Sequence, residues 1–205
     1  MNMTDIRLFL ILGLLVLCSC SKAPQLAALP PDAVVLAFGD SITFGSGAAP
    51  GESYPAVLEG LIGRRVVNAG VPGETTAQGR ARLAAALDEQ RPALLLLCLG
   101  GNDFLQHQDE SRTDDNLRAM VALAQERGVA VVLIAVPRLG FGLEVPKLYE
   151  KIAKDSSIPL ERKVLKKILS TGSLKSDLIH PNAAGYRILA ESVARLIGAA
   201  GALNG

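Results

Sequence analysis

The sequence predicts one α/β domain over residues 33–200, built as a three-layer, doubly wound parallel sheet. Short, continuously apolar runs recur along the chain, which is typical of strands buried on both faces. Longer segments with helical periodicity separate these runs, as expected for parallel strands joined by crossover helices. With 205 residues, of which 49% are hydrophobic, the chain can bury one core. No internal repeat or second domain is evident.

The elements can be placed in order along the chain. Five apolar runs are the candidate strands, at 34–38, 65–68, 93–99, 129–136 and, more weakly, 157–160. Six segments are the candidate helices, at 54–63, 76–89, 111–127, 146–154, 161–170 and 182–198. Gly128 is expected to end the third helix. A flavodoxin-like strand order of 2-1-3-4 would bring the loops after the first three strands to one edge of the sheet.

The first residues are predicted to be a targeting segment. Arg7 precedes the apolar run 8–17, which is short for a bilayer span and suits the central region of a signal peptide. Leu17-Cys18-Ser19-Cys20 resembles the bacterial lipobox. That resemblance implies a lipoprotein signal peptide over residues 1–19 and lipidation of Cys20. The alternative is a plain secretory signal in which the two cysteines are incidental.

The lipobox interpretation predicts an exported, lipid-anchored protein with a tether over residues 20–32. Ser21 in place of an aspartate after Cys20 implies the outer membrane, facing the periplasm, in a two-membrane bacterium. Cys98 would then be the only cysteine of the domain, so we expect no intramolecular disulfide. Because Cys98 lies within an apolar run, we interpret it as a core thiol rather than a nucleophile.

Composition argues against several classes of partner. The net charge is +1, aromatic residues make up 4% of the chain and tryptophan is absent, which disfavours a nucleic-acid binder. The two histidines and the spacing of the acidic residues provide no metal-ligand cluster. We therefore predict no metal and no cofactor.

Polar segments follow the first three candidate strands and precede the last helix. They are Gly39-Asp-Ser-Ile-Thr43, residues 68–76, Gly100-Gly-Asn-Asp103 and Asp177-Leu-Ile-His-Pro181. Each alone could be only a turn or a helix cap. Together they supply a serine, an aspartate and a histidine in the chain order Ser41, Asp177, His180, the residue types of a catalytic triad.

The four segments resemble the sequence blocks of the SGNH, or GDSL, hydrolases over residues 34–198. Residues 73–76 and 99–104 are most similar to the bacterial thioesterase, arylesterase and lysophospholipase branch. The resemblance implies the flavodoxin-like SGNH hydrolase fold. No Gly-x-Ser-x-Gly pattern surrounds Ser41, so an α/β-hydrolase elbow is not expected.

The resemblance also implies roles for individual residues. Ser41 would be the nucleophile, His180 the base and Asp177 the residue that orients the base. The oxyanion hole would consist of the backbone N–H groups of Ser41 and Gly70 and the side-chain amide of Asn102. The implied activity is hydrolysis of carboxylic esters through an acyl-enzyme, on a small-molecule or lipid substrate. Aryl and acyl esters, thioesters and lysophospholipids are the candidates.

Two other functions are compatible with the fold. An O-acetyl esterase or acyltransferase acting on envelope glycans would use the same triad. A non-catalytic lipoprotein would need none of it, and the presence of Ser41, Asn102 and His180 argues against that function.

Residues flanking the predicted site lead to further expectations. Three phenylalanines, Phe44, Phe104 and Phe141, are candidate pocket residues. Asp40 is expected to bond the nucleophile turn and Asp103 to cap the helix that follows it. His107 is expected to be a solvated surface residue, and residues 137–160 are a candidate lid.

Overall fold

A computed structural model of the protein describes residues 24–140 and 142–204. The strands are β1 (Val34–Gly39), β2 (Arg65–Gly70), β3 (Leu94–Cys98), β4 (Ala130–Ile134), β5 (Arg138–Gly140), β6 (Gly142–Glu144) and β7 (Leu160–Glu161). Five of them form a parallel sheet in the order β2-β1-β3-β4-β7, which confirms the predicted strand order. Strands β5 and β6 form a separate antiparallel hairpin.

Helices cover the sheet. They are α1 (Ser41–Phe44), α2 (Tyr54–Ile62), α3 (Thr76–Gln90), α4 (Gly101–Leu105), α5 (Glu110–Glu126), α6 (Leu148–Asp155), α7 (Val164–Leu169) and α8 (Ala183–Ala199). Short 3-10 turns lie at Pro50–Glu52 and Gly172–Leu174. Helix α2 packs on α8, and α3 packs on α5. The predicted helices are thus confirmed, whereas α1, α4 and the hairpin were not predicted.

Two helix ends show how local chemistry sets the element boundaries. Helix α5 ends before Gly128, whose φ of +72° is the left-handed conformation that glycine adopts easily, as predicted. Helix α7 begins at Val164 rather than at the predicted 161. Glu161 pairs with β4 instead, and its Oε1 accepts the N–H groups of Lys163 and Val164 at 2.9 and 3.0 Å.

The core lies along the three central strands. Every residue of β3 is fully buried, including Cys98, as expected for a parallel strand covered on both faces. Burial raises the pKa of the Cys98 thiol well above its usual range, in keeping with the predicted inert core thiol. Replacing a leucine of this strand by alanine would cost about 2–5 kcal/mol.

The chain before β1 is docked on the domain. The Leu26 N–H donates to the Ala200 carbonyl at 2.7 Å, the Leu29 N–H donates to the Ala202 carbonyl at 2.8 Å, and Leu29 is buried. The predicted tether is therefore packed against the end of α8 over these residues. The signal peptide and Cys20 lie outside the described residues. Within the described ranges, no helix is both long and apolar enough to cross a membrane.

Candidate active site

The turn after β1 places Ser41 at the carboxyl edge of the sheet. Asp40 caps α1, and its Oδ1 accepts the Ile42 N–H at 2.9 Å, which confirms its predicted bond to this turn. Gly39 and Gly70 allow close packing of the backbones here. A Cβ atom on Gly39 would lie 2.3 Å from the Cys98 carbonyl oxygen, and one on Gly70 would lie 2.1 Å from the Phe44 nitrogen.

The loop before α8 brings the predicted base to this serine. His180 Nε2 lies 2.9 Å from Ser41 Oγ, and His180 Nδ1 lies 2.7 Å from Asp177 Oδ2. The other oxygen of Asp177 accepts the N–H groups of Ile179 and His180, both at 2.8 Å. A three-residue spacing thus forms a turn that holds the imidazole and its carboxylate together.

The electrostatics of the two aspartates beside the serine differ. Burial alone would raise the pKa of Asp177, but the hydrogen bonds from the His180 ring and from the two amides outweigh it and hold the pKa below its usual value. Asp40 is buried, and no cation of the described residues lies within bonding distance of its carboxylate. Burial raises its pKa from 3.8 to about 7, although the Ile42 N–H bond acts in the opposite direction. Near neutral pH, Asp177 beside the imidazole is therefore ionised, while Asp40 beside the serine is about half protonated.

Asn102 reaches the site from α4, after the third strand. Its Nδ2 donates to the Glu74 carbonyl at 2.9 Å and lies 3.5 Å from Asp40 Oδ2. The prediction that Asp103 caps the helix that follows it is wrong. Its buried carboxylate instead accepts the N–H and the hydroxyl of Thr76 at 2.9 and 2.5 Å, so it caps the earlier helix α3.

The predicted donor at the end of β2 is the backbone N–H of Gly70. The N–H of Gly70 donates to Asn68 Oδ1 at 2.9 Å, so in this conformation it is already occupied. The N–H of Gly73 has no partner among the described residues. Gly73 has a φ of +80° in the turn closed by the bond from Glu74 N to the Val71 carbonyl. The Pro-Gly pair at this turn is the sequence signal that could have pointed to Gly73.

A cavity of about 180 Å³ opens beside Ser41, Asn102 and His180. Its apolar lining consists of Ile42, Phe104, Leu105, Val136, Pro137, Leu139, Leu169 and Ile179. Phe104 therefore lines the cavity, as predicted. Phe44 is 55% exposed and is not among the residues that line this cavity. Phe141 lies outside the described residues.

Two further expectations need correction. His107 is exposed, as predicted, but it also contributes to the cavity lining. The segment 137–160 is not a lid as a whole, because α6 buries Leu148, Tyr149 and Ile152 in the core. The Tyr149 hydroxyl donates to the Leu99 carbonyl at 2.8 Å, which ties this helix to the end of β3.

Comparison of the sequence with known proteins finds a family and several relatives. The sequence matches the GDSL-like Lipase/Acylhydrolase family over residues 37–188. It is 30% identical to Esterase TesA of Pseudomonas aeruginosa over 190 residues, covering 87% of this chain and 94% of that protein. It is 29% identical to Thioesterase 1/protease 1/lysophospholipase L1 of Escherichia coli, covering 78% and 81%.

A solved structure has the same fold as this chain. The crystal structure of TesA superposes with a TM-score of 0.73 at 28% identity, covering 82% of this chain and 99% of that one. Family match, fold and relatives thus point to the same class of protein. The chain belongs to the GDSL-like lipase/acylhydrolase family of ester-hydrolysing enzymes.

Proposed function

We propose that the protein is a serine esterase that cleaves carboxylic esters with small to medium acyl or aryl groups through an acyl-enzyme on Ser41. The observation that carries this proposal is the hydrogen-bonded chain from Ser41 through His180 to Asp177, with bonds of 2.9 and 2.7 Å, beside an apolar cavity. The names of the relatives, an esterase and a thioesterase/lysophospholipase, support the same class of substrate.

The reaction proceeds in two displacements. Ser41 Oγ attacks the ester carbonyl carbon while His180 Nε2 takes the hydroxyl proton, and Asp177 stabilises the resulting imidazolium. His180 then gives that proton to the departing alcohol as the carbon–oxygen bond breaks, which leaves an acyl group on Ser41. Water repeats both steps, with His180 again accepting and returning the proton, and releases the carboxylic acid.

The oxyanion requires donors that are in place before the attack. The Ser41 N–H is the first of α1 and has no acceptor within that helix. The Asn102 amide is held by the Glu74 carbonyl at 2.9 Å, and its contact with Asp40 at 3.5 Å is long enough to be replaced by a stronger acceptor. For the third donor we favour the N–H of Gly73, which has no partner in the described part of the chain, over the occupied N–H of Gly70.

The cavity size makes the substrate range testable. Its volume of about 180 Å³ is slightly larger than a 150 Å³ cavity known to hold benzene, so it suits a group of about six carbons. Each buried methylene contributes about 0.8 kcal/mol, or about fourfold in kcat/KM. On p-nitrophenyl esters from acetate to palmitate we expect kcat/KM to rise until about six to eight carbons and then level or fall.

The decisive variant is Ser41→Ala, measured beside Ser111→Ala, which alters an exposed serine of α5. We expect Ser41→Ala to lower kcat by roughly 10⁴-fold or more and Ser111→Ala to leave it unchanged. Near-normal turnover by a folded Ser41→Ala enzyme would refute the mechanism. Acetate release from O-acetylated glycans, with no turnover of the ester series, would instead favour the envelope-glycan esterase.

The membrane anchor at Cys20 and the outer-membrane location also remain proposals. They rest on the lipobox-like residues Leu17-Cys18-Ser19-Cys20. Labelling with radioactive palmitate in a bacterial host, on Cys20→Ala beside Cys18→Ala, tests the anchor. Label that persists in Cys20→Ala, or disappears only in Cys18→Ala, would contradict it.

A further inference from the structure

One arginine joins the ends of two strands to the loop beside Asn102. Arg82, on α3, donates from Nε to Glu74 Oε1 at 2.5 Å and from Nη2 to Glu74 Oε2 at 2.7 Å. The same Nη2 lies 2.8 Å from the Ala69 carbonyl oxygen and 3.4 Å from that of Gly39. A single guanidinium therefore contacts the carboxyl ends of β1 and β2 and the loop that follows β2.

This contact is well defined. The Glu74 side chain is only 4% exposed, and Arg82 Cζ lies 3.8 Å from the centre of the Phe38 ring. The planar guanidinium is thus fixed by a two-point carboxylate bond and by its position against an aromatic face. A lysine at this position keeps the charge but cannot reproduce the fork or the stacking.

Glu74 connects this contact to the active site. Its side chain is held by Arg82, while its backbone carbonyl accepts Asn102 Nδ2 at 2.9 Å. The Gly73 N–H lies in the same turn, and Gly39 is two residues before Ser41. All the segments that would supply the oxyanion donors are therefore bonded, directly or through one residue, to the same side chain.

We propose that Arg82 is a positioning residue for the oxyanion hole and acts through Glu74, an inference that rests on the proposed function. The ion pair fixes the position of Glu74, and the Glu74 backbone carbonyl orients the side-chain amide of Asn102. Loss of the fork displaces the loop, and displacements near 1 Å can lower rates about 100-fold. The substrate pocket lies elsewhere, since neither Arg82 nor Glu74 is among its lining residues.

The test compares Arg82→Lys with Arg127→Lys in the full enzyme. Arg127 is a matched control, because it also donates to a carbonyl and a carboxylate, those of Ala84 and Asp88, both at 2.8 Å, with 32% of its side chain exposed against 29% for Arg82. We expect Arg82→Lys to lower kcat about 10-fold to 100-fold with KM within about threefold of wild type. Arg127→Lys should retain wild-type values.

A double-mutant cycle separates positioning from simple stabilisation. In an Asn102→Ala background we expect Arg82→Lys to cost less than about threefold in kcat, because the amide that it positions is already gone. Full additivity of the two losses would overturn the proposal, as would wild-type kcat in a folded Arg82→Lys enzyme. If Arg82→Lys fails to fold, Glu74→Gln takes its place in the cycle, with the same criteria.

A second readout keeps this inference distinct from the esterase proposal. Labelling of Ser41 by a fluorophosphonate, followed by intact mass, forms a Ser41 Oγ–phosphorus bond and releases fluoride, and it needs no carboxylic ester. Slower labelling in Arg82→Lys, but not in Arg127→Lys, is expected even if the ester panel misses the natural substrate. A wild-type enzyme that neither labels nor turns over would overturn both proposals, whereas equal labelling of all variants would overturn only the role of Arg82.

Discussion

Replacing Asp40 by asparagine should increase the free energy of unfolding relative to wild type, and this gain should be larger in alkaline than in acidic solution. Burial raises the pKa of Asp40 from 3.8 to about 7 in the folded state, so the folded protein retains a proton that the unfolded chain loses. Wild-type stability therefore falls as pH rises from about 4 to 7 and is constant above that. The two pKa values differ by about three units, and at about 1.4 kcal/mol per unit the wild type loses about 4 kcal/mol of its free energy of unfolding. About 3 kcal/mol of this loss falls between pH 5 and pH 7.

Asparagine imitates the protonated acid, since its Oδ1 can still accept the Ile42 N–H while its other group donates. The free energy of unfolding in urea, measured at intervals from pH 5 to pH 9, should show a wild-type deficit that grows to pH 7 and then stops. For a chain of this size the change corresponds to about 6–12 °C in Tm. Asp115→Asn, which removes an exposed carboxylate, is the control. Parallel curves for wild type and Asp40→Asn would refute the reasoning.

Three other measurements test the site. Asn102→Ala should lower kcat about 10²-fold to 10³-fold with an unchanged chain-length optimum, and a loss below tenfold in steady-state kinetics would remove Asn102 from the oxyanion hole. Phe104→Ala should shift the chain-length optimum on p-nitrophenyl esters to longer chains, because Phe104 lines the cavity. Phe44 is exposed, so Phe44→Ala should leave the optimum unchanged. Equal shifts in the two variants would contradict the assignment of the cavity as the acyl pocket. Cys98, buried with a raised thiol pKa, should stay unreactive to Ellman's reagent until the protein unfolds, so rapid native-state reaction would contradict its place in β3.

The sequence predicted the central sheet well because its strands are buried on both faces. A continuous apolar run such as 93–99 has few alternatives in a domain of this size. The short elements could not be predicted. Helix α4 spans five residues and begins after Gly100, which has a φ of +118°. A Cβ atom on Gly100 would lie 2.3 Å from the Tyr149 hydroxyl. This hydroxyl donates to the carbonyl of Leu99, and the two residues are 50 positions apart in the sequence. Contacts of that separation leave no local pattern.

Site residues that act through their side-chain type could be predicted from the sequence, whereas those that act through their backbone conformation could not. Ser41, Asp177 and His180 come together because the turn after β1 and the loop before α8 meet at the carboxyl edge of the sheet. Both Gly70 and Gly73 follow the second strand, and the Pro-Gly pair marks only Gly73 as a turn residue; the bond from the Gly70 N–H to the Asn68 side chain needed the structure. Asp103 was assigned to the helix beside it in sequence, yet its partner Thr76 is 27 residues earlier.

The opposite environments of Asp40 and Asp177 have a consequence for catalysis. An ionised Asp40 would place a negative charge beside the developing oxyanion and would compete for the Asn102 amide, which lies 3.5 Å from its Oδ2. Protonated, it does neither, whereas Asp177 must be ionised to stabilise the His180 imidazolium. Since the pKa of Asp40 is about 7, kcat should decline as pH rises through that value. The decline should be absent in Asp40→Asn, and an unchanged alkaline limb in that variant would assign it to another group.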